Sequence, residues 1–278
     1  MTQKLRCGRY TLTLTRPLVM GIVNVTPDSF SDGGKYLFHD QAIEHGLQLI
    51  EAGADILDIG GESTRPGAQP LDAAQELQRV LPVIEALAGH GVPLSVDTYK
   101  ADVMRAALRA GASIINDVMA LQGEGALQVA AQSDAAVCLM HMQGNPQTMQ
   151  LSPAYDDVVG EVRAFLEARL AMAEAAGIAR ERLVIDPGFG FGKTTEHNLA
   201  LLRGLPCFCT CGAALLVGLS RKSVLGKVAG GEVEERLPAS LAAAVLAALK
   251  GANILRVHDV RATREALAVV SRVEGKNA

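Results

Sequence analysis

Short apolar segments recur along the whole chain, and each is followed by a polar or small residue. Eight such segments end near Asn24, Gly60, Asp97, Asn116, His141, Asp186, Ser220 and His258. Between them, apolar residues recur every three or four positions, which is the spacing of an amphipathic helix. The pattern therefore predicts strands and helices in strict alternation.

Three of the junctions share one sequence pattern, in the ranges 51–58, 109–116 and 249–256. Each has a helix-like end, then Gly-Ala, then a run of β-branched residues and leucine. Glycine suits the left-handed position just after a helix, and an unbroken apolar run suits a strand that is buried on both faces. A helix followed by a buried strand indicates parallel pairing.

Two aspartates are predicted to cap helices. Asp40 and Asp72 each precede a helical pattern, and an aspartate can accept a hydrogen bond from the first free N–H groups. The residues expected to share a face are Ile43, Leu47 and Ile50 in the first helix, and Leu77, Leu81 and Ile84 in the second. Pro82 is expected to kink the second helix.

Alternating strands and helices fit either a closed (β/α)₈ barrel or an open doubly wound sheet. Nearly every segment has a polar residue at its carboxyl end, where all the loops of a barrel converge, whereas an open sheet gathers its ligands at one switch point. We therefore predict a single-domain α/β protein over residues 1–278, with a TIM barrel over 18–274. An N-terminal hairpin within residues 1–15, from Leu5 to Thr15, is predicted to close the bottom.

Composition excludes several classes of function. The chain has 278 residues, 49% of them apolar, and a formal net charge of −4 without basic blocks, which argues against a nucleic-acid surface. The strongly apolar run 241–249 is too short to span a membrane and is predicted to be a buried helix. The N-terminus does not resemble a signal peptide, so we expect a cytoplasmic protein with small-molecule partners.

Five cysteines are present, and three of them form the cluster Cys207, Cys209 and Cys211. Their alternate spacing is unlike the two-residue gap of zinc sites, so a structural metal is disfavoured. We expect reduced thiols in a loop and at the start of a strand.

Two polar loops leave the first strands. The range 24–34 contains Pro27 and a Gly pair, and the range 60–67 places Arg65 between hydroxyl groups and a proline. At the mouth of a barrel both loops should contribute to a site, and an arginine there can grip an anion. The alternatives are a solvated surface turn and a solvent-facing arginine.

Three polar residues end the third, fourth and sixth strands, with apolar neighbours. Asp97, Asn116 and Asp186 would point together into a largely apolar pocket and would need a polar ligand. The alternative is that Asp97 and Asn116 only cap the helices that follow.

Cations gather at the last two strands, in the segments 220–223 and 256–259. Arg256 and His258 are two residues apart on a strand and so point the same way, which suits two contacts to one anion. Barrels frequently bind phosphate at these loops. The alternative for His258 is a satisfied core histidine.

Taken together, these segments resemble the dihydropteroate synthases, in that family's order. The matching ranges are 24–34, 60–67, 95–98, 115–118, 139–146, 186–193, 220–223 and 256–259. The resemblance implies a TIM barrel that joins a dihydropterin methyl diphosphate to 4-aminobenzoate in folate synthesis, with Mg²⁺ on the leaving diphosphate. It also implies a homodimer, and the apolar range 238–250 is a candidate for the contact.

Site residues follow from the same resemblance, position by position. The pterin side comprises Asp97, Asn116, Met140, Asp186, Gly218 and Lys222. The diphosphate side comprises Asn24, Thr64, Arg65, Arg256, Val257 and His258, with Asn24 as the metal ligand. The aminobenzoate side comprises Thr64, Arg65, Pro66, Phe191, Ser220 and Lys222. The residues expected to act in catalysis are Asp97, Asp186, Lys222, Arg256 and His258.

The implied reaction breaks the bond to diphosphate before the aromatic amine attacks, so a pterin cation must be held by Asp97 and Asp186. Tyr99 and Met119 depart from the family's usual residues beside the pocket, and no insertion lies between Ser63 and Pro66. Two other functions stay open at this point. One is a methyltetrahydrofolate-dependent methyltransferase, which would not need the cations that hold diphosphate, and the other is a catalytically silent pterin-binding paralogue.

Overall fold

The fold is described by a computed structural model, which covers residues 4–26, 35–63, 69–145 and 147–275. An antiparallel hairpin comes first, with strands β1 (Lys4–Cys7) and β2 (Tyr10–Thr13). The remaining strands are β3 (Leu18–Asn24), β4 (Ile56–Gly60), β5 (Leu94–Asp97), β6 (Ile114–Asp117), β7 (Ala136–Met140), β8 (Leu183–Asp186), β9 (Ala214–Val217) and β10 (Ile254–Val257). They are all parallel and form a closed barrel in which β10 pairs with β3. The predicted eight-stranded barrel is confirmed.

Helices lie between successive strands. They are α1 (Lys35–Glu51), α2 (Ala73–Leu87), α3 (Ala101–Ala110), α4 (Ala126–Ala131), α5 (Val158–Ala175), α6 (Thr195–Arg203), α7 (Ser223–Ala229), α8 (Leu237–Leu249) and α9 (Val260–Val273). The glycines of the repeated junctions, Gly53, Gly111 and Gly251, have φ values of 93°, 120° and 100°, as the sequence predicts. Within the described residues no helix is both long enough and apolar enough to cross a membrane.

The barrel has two apolar cores because successive side chains of a strand point to opposite faces. The outer core fills the space between the strands and the helices. The inner core lies inside the lower part of the barrel, where Leu18, Met20 and Ile56 pack with Leu5 and Cys7 of the hairpin. The hairpin therefore closes the bottom of the barrel, as predicted.

The first helix differs from the prediction. Helix α1 begins at Lys35, so Asp40 lies inside it and is not its cap. Leu47 is 39% exposed, while Ala42 and Leu49 are buried. Gly46 explains this orientation, because a Cβ there would come within 2.6 Å of Leu87 on α2. The face of α1 that carries Gly46 therefore packs against α2, and Leu47 is left outside.

The second helix follows the prediction more closely. Asp72 caps α2 in a reciprocal capping box with Gln75. The helix continues through Pro82, whose missing N–H leaves the carbonyl of Gln78 without its helical donor. That carbonyl oxygen instead lies 3.0 Å from Nε2 of His39. Of the three residues expected to share a face, Ile84 is fully buried, whereas Leu77 and Leu81 are half-buried.

Other predictions need smaller corrections. Strand β6 runs one residue past Asn116, while β7, β9 and β10 end at Met140, Val217 and Val257. After β9 the chain turns at Arg221, whose φ is 56°. The cysteine cluster lies in a 3-10 turn, Leu205–Cys211, and not at the start of a strand. Helix α8 is not fully buried, since its Leu246 and Leu249 are exposed.

Candidate active site at the carboxyl ends of the strands

Four polar or small residues form one row across the inner face of the barrel. The strand register pairs Asn24 with Gly60, Gly60 with Asp97, and Asp97 with Asn116. Each of these strands has a polar residue or glycine at this level, above the apolar inner core. The row is the floor of a site at the carboxyl ends of the strands.

Arg256 connects this floor to two carboxylates. Its Nε donates to Asp58 Oδ2 over 2.6 Å, and one terminal nitrogen donates to Asp97 Oδ2 over 2.8 Å. The same Asp58 oxygen accepts from the side-chain amide of Asn116 over 3.0 Å. Asp58 is fully buried. These hydrogen bonds fix the arginine and the amide relative to each other.

Sequence reasoning missed Asp58, although a signal was present. It lies in the middle of β4, between Leu57 and Ile59, and alternation along the strand points it inward with Ile56. An aspartate inside a buried strand is rarely without a partner. Asking which cation it pairs with would have pointed to Arg256.

The capping alternative for Asp97 and Asn116 is not supported. Helix α3 has Lys100 at its N-terminal cap position, and Asp97 pairs with Arg256. After β6 it is Asp117 that accepts from the backbone, at 2.7 Å from the N–H groups of both Met119 and Leu121. The side chain of Asn116 is thus left for the floor of the site.

The titration of the carboxylates reflects their burial. Burial raises the pKa of Asp97 to about 7, against the opposing attraction of Arg256. Burial also raises the pKa of Asp186, although Lys222 counteracts it, and Asp186 accepts from the Gly188 N–H over 2.8 Å. For Arg256, burial acts to lower the pKa, but the neighbouring carboxylates Asp58 and Asp97 outweigh it and the pKa is raised.

Lys222 follows β9, which pairs with β10, the strand of Arg256. Its ammonium donates to the carbonyl oxygen of Phe189 and lies 4.8 Å from the ring centre of Phe191. Burial lowers the pKa of Lys222 to about 8, while the charge of Asp186 acts in the other direction. Gly218 is adjacent, since a Cβ there would lie 3.9 Å from the lysine nitrogen. A larger residue than glycine would narrow the space around the ammonium.

The loops after β9 and β10 are joined by side chains. Ser220 Oγ lies 3.0 Å from Nδ1 of His258 and also accepts from its backbone N–H. Arg221 forms a two-bond pair with Asp259, at 3.0 and 2.5 Å, so this arginine braces the two loops. Val257 packs in the outer core. The side chain of Val257 therefore points away from the other predicted diphosphate residues, toward the helices. Only its backbone can contribute to the site.

The remaining predicted residues are placed as follows. Met140 ends β7 and is buried. Thr64, Arg65 and Pro66 lie outside the described residues, as do positions 27–34 of the first loop. The stem of the second loop is anchored by Glu62, which accepts from the Tyr99 hydroxyl over 2.9 Å and from the Lys100 ammonium. Tyr99, which the sequence marked as a departure, therefore contacts this stem.

Metal-binding capacity is limited in the described part of the chain. No group of three or more His, Cys, Asp or Glu side chains there could hold an ion by itself. Asn24, half-buried at the end of β3, offers an amide oxygen in the floor row. Mg²⁺ is commonly held by one or two protein oxygens together with substrate phosphates and water, and a single amide oxygen beside a diphosphate fits that pattern.

Comparison with known proteins gives a consistent result. The model of the pterin binding enzyme family matches residues 20–258. Dihydropteroate synthase of Escherichia coli strain K12 is 54% identical over 260 residues, which cover 93% of this chain and 92% of that protein.

Solved structures agree. A Xanthomonas albilineans dihydropteroate synthase with 4-aminobenzoic acid superposes with a TM-score of 0.94 at 54% identity, covering 99% of each chain. A dihydropteroate synthase from the same organism in complex with 7,8-dihydropteroate gives a TM-score of 0.90 at 52% identity, covering 98% of each chain.

Proposed function

This chain belongs to the pterin binding enzymes, and within them to the dihydropteroate synthases, and from this premise we propose that it makes 7,8-dihydropteroate. It would transfer the methylene carbon of a dihydropterin methyl diphosphate to the amine of 4-aminobenzoate and release diphosphate. The product would serve folate synthesis. The observation that carries the proposal is the floor of the site, where Arg256 joins Asp58 and Asp97 and where Lys222 is close enough to interact with the charges of Asp186 and Asp97.

The floor suits the edge of a pterin ring. Asp97 and Asp186 offer carboxylate oxygens to ring N–H groups, Asn116 offers an amide, and Lys222 offers an ammonium to a ring carbonyl. Arg256 keeps Asp97 in place from below. A pterin edge would therefore find both donors and acceptors already fixed, which lowers the entropic cost of binding.

Charge separation follows from the same arrangement. When the C–O bond to diphosphate breaks, positive charge develops on the pterin, next to Asp97 and Asp186. The leaving anion would lie by the guanidinium of Arg256 and the ring of His258, so the anion meets a fixed positive charge while the pterin cation meets carboxylates. The amine of 4-aminobenzoate is neutral at pH 7, so it forms the C–N bond without first being deprotonated by a general base. The proton that the new C–N nitrogen then carries passes to the released diphosphate or to water.

Mg²⁺ is part of this proposal, with Asn24 as the chain's ligand in the described residues. When bound, the ion would neutralise charge on the leaving diphosphate. The aminobenzoate side is proposed to comprise Phe191, Ser220 and Lys222, together with the range 64–66.

A homodimer is also proposed. Leu246 and Leu249 of α8 are 46% and 53% exposed, and Val269 and Val273 of α9 are 65% and 79% exposed. These two helices pack on each other, so their exposed apolar side chains can form one contact surface. Sedimentation at micromolar protein is expected to show a dimer, and a monomer alone would contradict it.

Product formation is the decisive test. Purified protein is mixed with the dihydropterin methyl diphosphate, radiolabelled 4-aminobenzoate and Mg²⁺, and labelled dihydropteroate is measured. We expect product from the wild type and from the controls Asp102→Asn and Lys227→Ala, which change exposed residues. We expect little from Asp97→Asn and Lys222→Ala.

The two other functions predict different results. A silent paralogue would bind the pterin diphosphate without forming product. A methyltransferase would accept a methyl group from methyltetrahydrofolate, and the comparisons give that function no support.

A further inference from the structure

The loop between β8 and α6, residues 187–192, has an unusual set of hydrogen bonds. We call it the glycine loop. Five consecutive carbonyl oxygens in it each accept from a side chain: Gly188 and Phe191 from Lys193, Phe189 from Lys222, Gly190 from Gln150, and Gly192 from Tyr155. Loop carbonyls are more commonly left to water. Here the backbone is held by side chains along its length.

Lys193 makes two of these hydrogen bonds and is not among the predicted site residues. It is 3% exposed, and its ammonium lies 2.9 Å from each of the carbonyl oxygens of Gly188 and Phe191 and 3.0 Å from Nδ1 of His141. An ammonium has three hydrogens and no acceptor, so three close acceptors satisfy it completely. In the described residues it makes no salt bridge with a carboxylate.

His141 completes this arrangement. Burial and the neighbouring Lys193 lower the pKa of His141 to about 3, so its ring is neutral and Nδ1 can accept from the ammonium. The ring packs edge-on against Phe165, with 4.9 Å between centres. Burial also lowers the pKa of Lys193 to about 7, although Asp186 favours its charge. Only the ammonium form can donate to three acceptors at once.

The glycine loop is also tight against the end of β7. Gly188 has a φ of 70°, and a Cβ there would lie 1.8 Å from the carbonyl oxygen of His141. Lys193 contacts the loop on its buried side, next to His141. Lys222 contacts the same loop from the site. Both lysines act on adjacent carbonyls, of Gly188 and Phe189.

We propose that Lys193, together with His141, is a positioning residue for the active site. It holds the glycine loop on the side of His141. This fixes two groups beside the Lys222 ammonium, namely the Phe189 carbonyl that accepts from it and the ring of Phe191. The inference rests on the proposed function, because it assigns Lys222 and Phe191 to the two substrates. A shift of the loop would move both groups together.

The test compares two buried cations at opposite ends of one strand. Lys193→Met keeps the apolar stem and removes the donors. The control is Arg182→Met, because Arg182 is 8% exposed, precedes β8, and donates to the backbone carbonyls of Ala130 and Ala135 at the bottom of the barrel. Each substitution removes a buried cation that donates to backbone carbonyl groups, but only Lys193 lies near the site.

For Lys193→Met we expect the KM for 4-aminobenzoate and the Kd of the pterin diphosphate each to rise by about tenfold or more, since misplacement by about 1 Å can cost a factor of 100. Arg182→Met should lower the thermal midpoint and leave both constants within about twofold. Equal changes in the two variants, or unchanged constants in Lys193→Met, would overturn the proposal.

Tyr155→Phe provides a milder variant if Lys193→Met does not fold. It removes only the hydroxyl that donates to Gly192 over 2.9 Å and keeps the ring contact with His197. We expect both constants to rise by a few-fold, as for one lost hydrogen bond, and constants equal to the wild type's would count against a held loop. Kd is measured calorimetrically without turnover, so a failure of this proposal is distinguishable from a wild type that makes no product.

Discussion

Asp58 shows how one residue sets the geometry of the site. It accepts from Arg256 and Asn116 through one oxygen and is fully buried. Asp58→Asn removes the charge that faces the arginine. Arg256 keeps its pair with Asp97 but loses a fully buried carboxylate partner, so we expect the free energy of unfolding to fall by about 3 kcal/mol in urea titrations.

The matched control for this prediction is Glu181→Gln. Glu181 pairs with Arg6 over 2.8 Å, but both side chains are about half exposed. Exposed pairs contribute less than about 1 kcal/mol. If both substitutions lower the free energy equally, the buried network does not stabilise the fold as we infer. Activity of Asp58→Asn should also fall, because the shared acceptor of Arg256 and Asn116 loses its negative charge.

Ionisation at the site predicts a narrow pH range for activity. Asp97 has to be deprotonated to face a cation, and its pKa of about 7 means that kcat/KM rises as the pH increases through that value. Lys222 has to keep its proton, and its pKa of about 8 means that kcat/KM falls above it. Lys193, whose ammonium holds the glycine loop, has a pKa of about 7 and should contribute to the same fall. In Lys222→Arg the side chain stays charged, so the part of the fall near pH 8 should disappear even if the rate is lower. A fall near pH 8 that persists would assign it to another group.

Residues at the site were predictable to different degrees. Strand ends are where a barrel gathers its polar side chains, so Asp97, Asn116 and Asp186 could be found from their positions. Asp58 was missed because it lies two residues before its strand end. The role of Lys193 was missed because two of its three close partners are backbone carbonyls, which carry no sequence signal, and the third is a histidine 52 residues away in the chain.

At the scale of helices and strands, a complete local motif was predictable, whereas contacts between helices were not. An N-cap depends on the few residues around it, so Asp72 with Gln75 was readable as a local motif. The buried face of α1 depends on another helix, since Leu87 of α2 meets Gly46. Asp40 resembled a cap in composition, but α1 begins five residues before it.

This difference gives a paired prediction. Asp72→Ala should lower the free energy of unfolding by about 1 kcal/mol, because the backbone N–H of Gln75 loses its side-chain acceptor. Asp40→Ala should leave it unchanged or raise it slightly, since alanine favours the interior of a helix more than aspartate does. Urea titration of both variants tests this, and an equal loss in both would mean that the two aspartates have the same role.

At the scale of the whole molecule, the candidate site lies at one end of the barrel, and the hairpin closes the other end. The alternation of strands and helices and the eight strands follow from sequence periodicity, since each element is encoded locally. The cytoplasmic location stays a prediction. The closure by the hairpin was predicted from its position before the barrel, and it is the packing of Leu5 and Cys7 among the inner strands that makes it structural.

Leu5 tests this closed end. It is 1% exposed, so Leu5→Ala should lower the free energy of unfolding by about 3 kcal/mol, whereas Leu151→Ala, at a residue 79% exposed, should change it by less than about 0.5 kcal/mol.

Alkylation of Cys7, two residues after Leu5 in the hairpin, offers a second measurement. Its thiol is buried, which raises its pKa to about 12, so it should resist alkylation while exposed Cys207 reacts. If the hairpin loosens as a unit in Leu5→Ala, Cys7 alkylation should become faster with no change at Cys138, which β7 holds inside the barrel. Equal acceleration at both thiols would instead mean that the barrel opens as a whole, and the hairpin would then be part of one cooperative unit with it.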